Sequence, residues 1–404
     1  MKILHLADEH VRDRDIDEIA VCLKFIVDTA KAEKPDLIVS AGDLFDSQDI
    51  KMGSLSARLA AGFISNLSNI APVALVIGTP SHDGKAPEIL RFARGAHPIV
   101  VASTPMQVYL EEVGLFDRPA GDKTPEAVIT LIPTPTKQFF QTRAGIEASD
   151  LEIGHAMSGL FAGFGAQAAV YHGVPHILAG HWNVNGCRLA GGQIRTGMDI
   201  EVSVDQMNMG NFDLGCLGHI HKAQNLGEKY FYSGPIYSTK IDEEGPMGFW
   251  IHDVMDMYTT ENLPALGESR FIETPCKRTV RIQADFTKQV GSIEGSPDLE
   301  HVRGAYLRVE YTIWQDEAGQ YNKEAIRKSF MDDGAIDVDI RINAVPRINV
   351  RAESVLAATT LRAEIEEMGK LRGEEVDPDV LAKAEMLENT AGEELMERIA
   401  GGAL

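Results

Sequence analysis

Five short apolar runs in the first 221 residues each end in a turn that carries aspartate or histidine. "KILHLAD" leads to Asp8-Glu9-His10, "PDLIVSAGD" to Asp43, and "APVALVIG" to Ser81-His82-Asp83; "ILAGH" delivers His181, and "CLGHIH" delivers His219 and His221. Near-continuous apolar runs of this length read as strands buried on both faces of a sheet. Helical spacing appears between them, as in Ile19, Leu23, Ile26, Val27 and Ala30, or Leu55, Leu59, Phe63 and Leu67. With "EAVITLIPTP", "KYFYSG" and "MGFWIHDV" as further strands, the alternation predicts an α/β layered domain over residues 1–268. Loops at the C-terminal strand ends build active sites in such sheets, so folding would carry the five turns to one edge.

The pattern changes near residue 270. "RTVRIQADF" and "AYLRVEYTIW" alternate like half-exposed strands, "NKEAIRKSFMDD" reads as a helix, and "IDVDIRINAV" as another strand. Residues 269–348 are therefore expected to form a small α+β unit. From about 349 strand patterning disappears, and two Glu-rich helices on either side of Pro378 are expected to make a helical tail over 349–404. At 404 residues a division into two or three domains is the natural expectation.

Cysteines 22, 187, 216 and 276 show no CxxC and no tight spacing, which argues against a disulfide framework or a zinc knuckle. The apolar stretch of "MKILHLA" is too short for a signal peptide, and no run elsewhere approaches a membrane span. A cytoplasmic location without membrane attachment is expected. The formal charge of −22 stands against holding nucleic acid by a basic surface. Bound divalent cations or a basic partner would offset it.

Asp and His suit Mn, Fe or Zn, and a carboxylate such as Asp43 can bridge two cations. At a fraying strand end His219 and His221 can splay to hold one metal each. In order, D-x-H, GD, G-x-x-x-H-D, GH and GHIH resemble the calcineurin-like metallophosphoesterase superfamily. More narrowly, "MKILHLADEH", "PDLIVSAGDLFDS" and "LGHIHKAQNLGEKYFYSGPIYSTK" are similar to the SbcD-type nuclease subunits of the double-strand-break processing complex.

The resemblance implies a layered sandwich with an appended α+β capping domain and a helical tail. It implies a first metal on Asp8, His10, Asp43 and His221, and a second on Asp43, His181 and His219. His82 would be a metal-independent acid acting on the phosphate or its leaving oxygen, with Asp83 fixing its tautomer. The family usually has Asn before the His–Asp pair. Here "GTPSHD" puts Ser81 there, so Ser81, Thr79 or water would complete the second site. The implied activity is Mn-dependent DNA exonuclease or endonuclease action at double-stranded ends and single strands. The implied partners are an SMC-like coiled-coil ATPase, gripped by the tail, and a second copy of the chain through helix 54–68. A phosphodiesterase or phosphatase for small or cyclic nucleotides is the alternative within the superfamily.

Overall fold

The computed structural model describes residues 1–112, 114–119, 123–137, 139–140, 150–191, 193, 200–240, 243, 245–255, 265–287, 292–294, 302–320, 322–346 and 353–390. The chain runs β1 (Lys2–Leu6), α1 (Ile16–Glu33), β2 (Leu37–Ser40), α2 (Leu55–Ser68), β3 (Val73–Val76), β4 (Ile99–Ala102), β5 (Met106–Glu111), β6 (Gly114–Phe116) and β7 (Ala127–Ile132). It continues with α3 (Asp150–Ala168), β8 (His176–His181), β9 (Asn183–Val184), β10 (Glu201–Val202), α4 (Val204–Asn208), β11 (Leu214–Gly218), β12 (Gln224–Leu226), β13 (Tyr230–Tyr232), β14 (Gly248–Met255) and β15 (Ala265–Glu273).

Two sheets dominate. One has the order β15-β14-β1-β2-β3-β4, and the other β12-β13-β11-β8-β7-β5-β6. The ligand-bearing strands lie in their parallel portions: β1, β2 and β3 in the first sheet, β8 and β11 in the second. Side-chain alternation makes the layers. Leu4, Leu6, Ile38 and Leu75 face a core shared with Ile19, Leu23 and Ile26 of α1 and Phe63, Ile64 and Leu67 of α2. Their strand neighbours Ile3, Leu37, Val39, Ala74 and Val76 face the second sheet, meeting Ile129, Leu131, Ile177, Ala179, Leu214 and Cys216. On that sheet's far side Leu178, Leu217, Tyr230 and Tyr232 pack under Ile153, Met157 and Phe161 of α3. Helix, sheet, sheet, helix is the resulting order of layers, and a strand buried on both faces needs an apolar residue at nearly every position.

Local signals set the helix ends. Ser54 caps α2 by accepting the N–H of Ala57, and Lys34 closes α1 in the left-handed conformation, its N–H returning to Ala30. Leu55 remains exposed, while Phe63 and Leu67 of the same helix are spent on the chain's own core.

By contacts the chain divides into two units, Met1–Tyr311 with Asn322–Ile342, and Thr312–Tyr321 with Asn343–Leu404. A four-stranded sheet follows the sandwich: β16 (Arg278–Asp285), β17 (Ser292–Glu294), β18 (Ala305–Trp314) and β19 (Asp337–Val345), in the order β17-β16-β18-β19, with α5 (Lys323–Asp332). Two later helices, α6 (Leu361–Arg372) and α7 (Pro378–Asn389), are tied to each other by an ion pair between Arg362 and Glu385. Residues 391–404 of the expected tail lie outside the described residues. Among the described residues no helix is long and apolar enough to cross a membrane.

Candidate metal centre

Past the last residues of β1 and β2 the two chain segments stay side by side. The N–H of Asp8 donates to the Gly42 carbonyl (2.9 Å), that of His10 to Asp43 (3.0 Å) and that of Val11 to Leu44 (2.9 Å). This carries Asp8, His10 and Asp43 out as one rigid loop pair. Of the seven non-glycine residues with positive φ among the described residues, four are Asp8 (55°), His10 (41°), Asp43 (58°) and His219 (93°). Backbone held in this sparsely populated region concentrates where function demands a side-chain direction.

The loops touch so closely that glycine is required between them. A Cβ on Gly78 would stand 2.1 Å from Oδ1 of Asp43, and one on Gly218 2.3 Å from the Ala41 carbonyl. The glycines before the ligands in "VIG" and "CLG" are thus packing requirements of the centre.

The side chains converge in two groups, Asp8–His10–His221 and Asp8–Asp43–His181, in each of which the ligand atoms lie within 4.8 Å of one another. Asp8 is common to both, and Asp43, the expected bridge, also reaches both sides, its Oδ2 lying 3.2 Å from Nε2 of His181 and 4.0 Å from Nε2 of His10. All are buried but His221, whose side chain is 11% exposed. The His219 ring centroid is 5.3 Å from that of His181.

Hydrogen bonds assign the imidazole tautomers. Nδ1 of His181 donates to the Ala41 carbonyl (2.7 Å), which leaves Nε2 as a lone pair 3.2 Å from Oδ2 of Asp43. Nδ1 of His221 donates to Oε1 of Glu243 (2.6 Å), which leaves its Nε2 facing Nε2 of His10 at 3.0 Å. Nδ1 of His10 is buried, with Oδ1 of Asp46 3.5 Å away. The bare Nε2 of His181 thus points at the Asp43 carboxylate, an arrangement stable only with a positive charge between them. Burial alone would lower the His181 pKa, but Asp43 overrides it and pushes it up to about 9. A divalent cation replaces such protons, so this donor set fits divalent metal ions.

Three expected residues need closer account. Ser81 is exposed and its carbonyl accepts the N–H of Gln48 (3.1 Å); its neighbour Thr79 instead has its hydroxyl 2.8 Å from Asp43 Oδ2 and 3.3 Å from His181 Nε2. The reason is the turn: the N–H groups of both His82 and Asp83 return to the Thr79 carbonyl, which lifts Ser81 outward. His82 is half-buried beside His10, with ring centroids 4.7 Å apart. Its Nδ1 bonds the Asp46 carbonyl (2.9 Å), not Asp83.

The expected His82–Asp83 pairing is therefore replaced. Asp83 is fully buried and accepts the backbone N–H groups of Asp43 (3.0 Å), Phe45 (3.0 Å) and Gly78 (2.8 Å), clamping two ligand loops together. Burial, then the charge of Asp43, push its pKa up to about 7. Asp83→Ala would orphan three buried donors, each costing about 1–3 kcal/mol, so a loss of roughly 3 kcal/mol or more is expected in denaturant unfolding. An unchanged midpoint would return Asp83 to a role in the chemistry.

Two supporting residues carry no sequence signal of their own. Glu243 is buried, holds His221, and is itself held by the N–H and hydroxyl of Thr239 (2.6 and 2.8 Å). Gln193 brackets "GHIH", donating to the His219 carbonyl (2.6 Å) and accepting from the His221 N–H (3.1 Å). Such outer partners fix the orientation of metal-binding imidazoles. Glu9 points away from the centre, bonded to Ser40 (2.8 Å), and burial pushes its pKa up to about 8.

A family model described as Calcineurin-like phosphoesterase matches residues 1–223. The chain is 22% identical over 281 residues to the SbcD subunit of the nuclease SbcCD from Staphylococcus saprophyticus, covering 68% of this chain and 71% of that protein. It is 28% identical over 268 residues to the protein of the same name from Escherichia coli K12, covering 61% of this chain and 62% of that one. Among solved structures, a dimetal phosphatase from Danio rerio superposes at TM-score 0.41 and 11% identity, covering 68% of this chain and 99% of that chain.

Proposed function

The chain belongs to the calcineurin-like phosphoesterase family, and on that footing we propose that it is a DNA nuclease subunit that cleaves phosphodiester bonds at DNA ends with a Mn-type metal pair. The observation that carries the reading is the pair of ligand groups sharing Asp8, set in a chain whose likeness to an SbcD protein spans 281 residues against the family segment's 223. Asp8, His10 and His221 would hold one ion, and Asp8, Asp43 and His181, with His219 beside them, the other. When bound, two divalent ions supply an activated water and neutralise phosphate charge.

The remaining work falls to the chain. His82, whose Nδ1–H is fixed on the Asp46 carbonyl, would carry on Nε2, in its imidazolium form, the proton given to the leaving oxygen. Glu243 and the Ala41 carbonyl keep His221 and His181 in the metal-binding tautomer. The domain division at about 268 and 348, the cytoplasmic location and a homodimer belong to the same reading. So does capture of an SMC-like ATPase by α6 and α7, which expose Met368, Leu371, Val380 and Leu387.

The net charge of −22 favours a second reading, a phosphodiesterase for small nucleotides, because long polyanions meet more repulsion. Linear double-stranded and single-stranded DNA, cyclic nucleotides and bis(p-nitrophenyl) phosphate, each incubated with Mn, separate the two. Degradation of DNA is expected. Turnover of the small diesters with DNA left intact, even when the ATPase is added, would overturn the nuclease reading.

A further inference from the structure

We propose that a cavity beside the metal centre takes the unstacked base of the nucleotide adjoining the scissile phosphate; this rests on the nuclease reading above. The cavity measures about 250 Å³ and lies on the same crest of strand ends as the ligands. Ile77, Pro80, Ile132, Phe139, Met157 and Leu160 wall it. Volumes of about 300–1,000 Å³ take drug-sized ligands, so this one suits a fragment of single-base size.

The turn 78–84 is the partition between cavity and centre. Thr79 turns its hydroxyl to Asp43 and His181, while Gly78, Pro80 and Gly84 of the same turn line the cavity. Because a Cβ on Gly78 would collide with the Asp43 carboxylate, the partition is one backbone thick there. A ligand whose phosphate sits on the metal ligands has a neighbouring group within reach of the cavity.

The lining selects the chemistry. Among the described residues its walls are apolar, with rings from Phe139 and Phe140 and charge only from Lys85 and Glu88, so a phosphate or a bare sugar gains little inside. A flat heterocycle with polar edges matches better. Thr134, whose N–H is tied to the Ile77 carbonyl (3.0 Å), buries its Oγ1 without a hydrogen-bond partner. Ser103 adds a second hydroxyl to the lining. The Thr134 Oγ1 is closed off from solvent, so the Ser103 and Thr136 hydroxyls of the lining are the ones a base edge can meet.

Charge gives the cavity its importance. A net charge of −22 weakens the phosphate contacts of the chain's own surface, which also weaken with salt. Stacking of a base on an aromatic ring is indifferent to net charge and to sequence. A base paired in a duplex cannot enter without leaving its stack, so unpaired ends should be preferred.

The test compares a single-stranded oligothymidylate with an oligomer of the same length built of abasic residues, for the wild type and Phe139→Ala with Mn. The expected result is a KM roughly 10- to 100-fold higher on the abasic oligomer for the wild type. Phe139→Ala should raise KM on oligothymidylate to the same level and leave the abasic oligomer unaffected. Equal kcat/KM on the two oligomers, or an equal loss on both in the variant, overturns the base site. Should Phe139→Ala not fold, Phe139→Leu removes the ring face while keeping apolar volume, and the same comparison applies. Cleavage of neither oligomer, with bis(p-nitrophenyl) phosphate still turned over, defeats the nuclease reading itself and this inference with it.

Discussion

His82→Ala is expected to retain both metal ions and to lose about 10²- to 10⁴-fold in kcat, the range a positioned proton donor contributes. His82 belongs to neither of the groups that share Asp8. It stands half-buried at their edge, its ring 4.7 Å from that of His10 and its Nδ1 committed to a backbone carbonyl. Removing the ring deletes the proposed proton donor and leaves the inner donors in place. The competing possibility is specific, because His82 also lies with His10 and Asp46 in a third set of potential ligand atoms. Elemental analysis beside steady-state kinetics on a small diester separates them. Metal lost in proportion to activity would make His82 a ligand.

Asp8→Asn is expected to lose both ions and to lower activity on the order of 10³-fold or more, the several kcal/mol of charge stabilisation that bound cations provide. Its carboxylate is fully buried and is the one member common to both groups. Asn keeps the shape and can still accept the His219 N–H that now lies 3.0 and 3.1 Å from the two carboxylate oxygens, so the fold should survive. The full negative charge, which draws the cations, does not survive. Circular dichroism like that of the wild type together with near-zero bound metal is the expected pair of readings. Full metal content in this variant would remove Asp8 from the centre.

Much of this architecture was legible because buried strands announce themselves. Runs such as "DLIVSAGD" and "HILAGH" are apolar at almost every position, since Leu37 and Val39 face one layer and Ile38 faces another. Their polar exits then mark the edge where Asp8, Asp43, His181 and His221 meet. The hairpin of β5 with β6 and the strand β15 carried no such run; "ALGESRFIE" mixes charges with apolar residues at a sheet edge. Turn geometry was also hidden. Sequence adjacency suggested a His82–Asp83 couple, yet the unpaired N–H groups of Asp43, Phe45 and Gly78 were the better partners for a buried carboxylate. Spacing alone could not choose between Thr79 and Ser81, because the choice depends on how the two extra residues fold back on the Thr79 carbonyl. Glu243 lies in the acidic run 242–244 after "YSGPIYSTK", and nothing in the run says which carboxylate reaches His221. Gln193 had no motif at all.

Crystals grown with Mn and measured at a wavelength where manganese scatters anomalously would test the centre most directly. Two peaks are predicted, one among Asp8, His10 and His221 and the other among Asp8, Asp43 and His181. Peaks only at the separate buried cluster of His5, Cys216 and His252, or no peak within reach of Asp8, would contradict the centre described above.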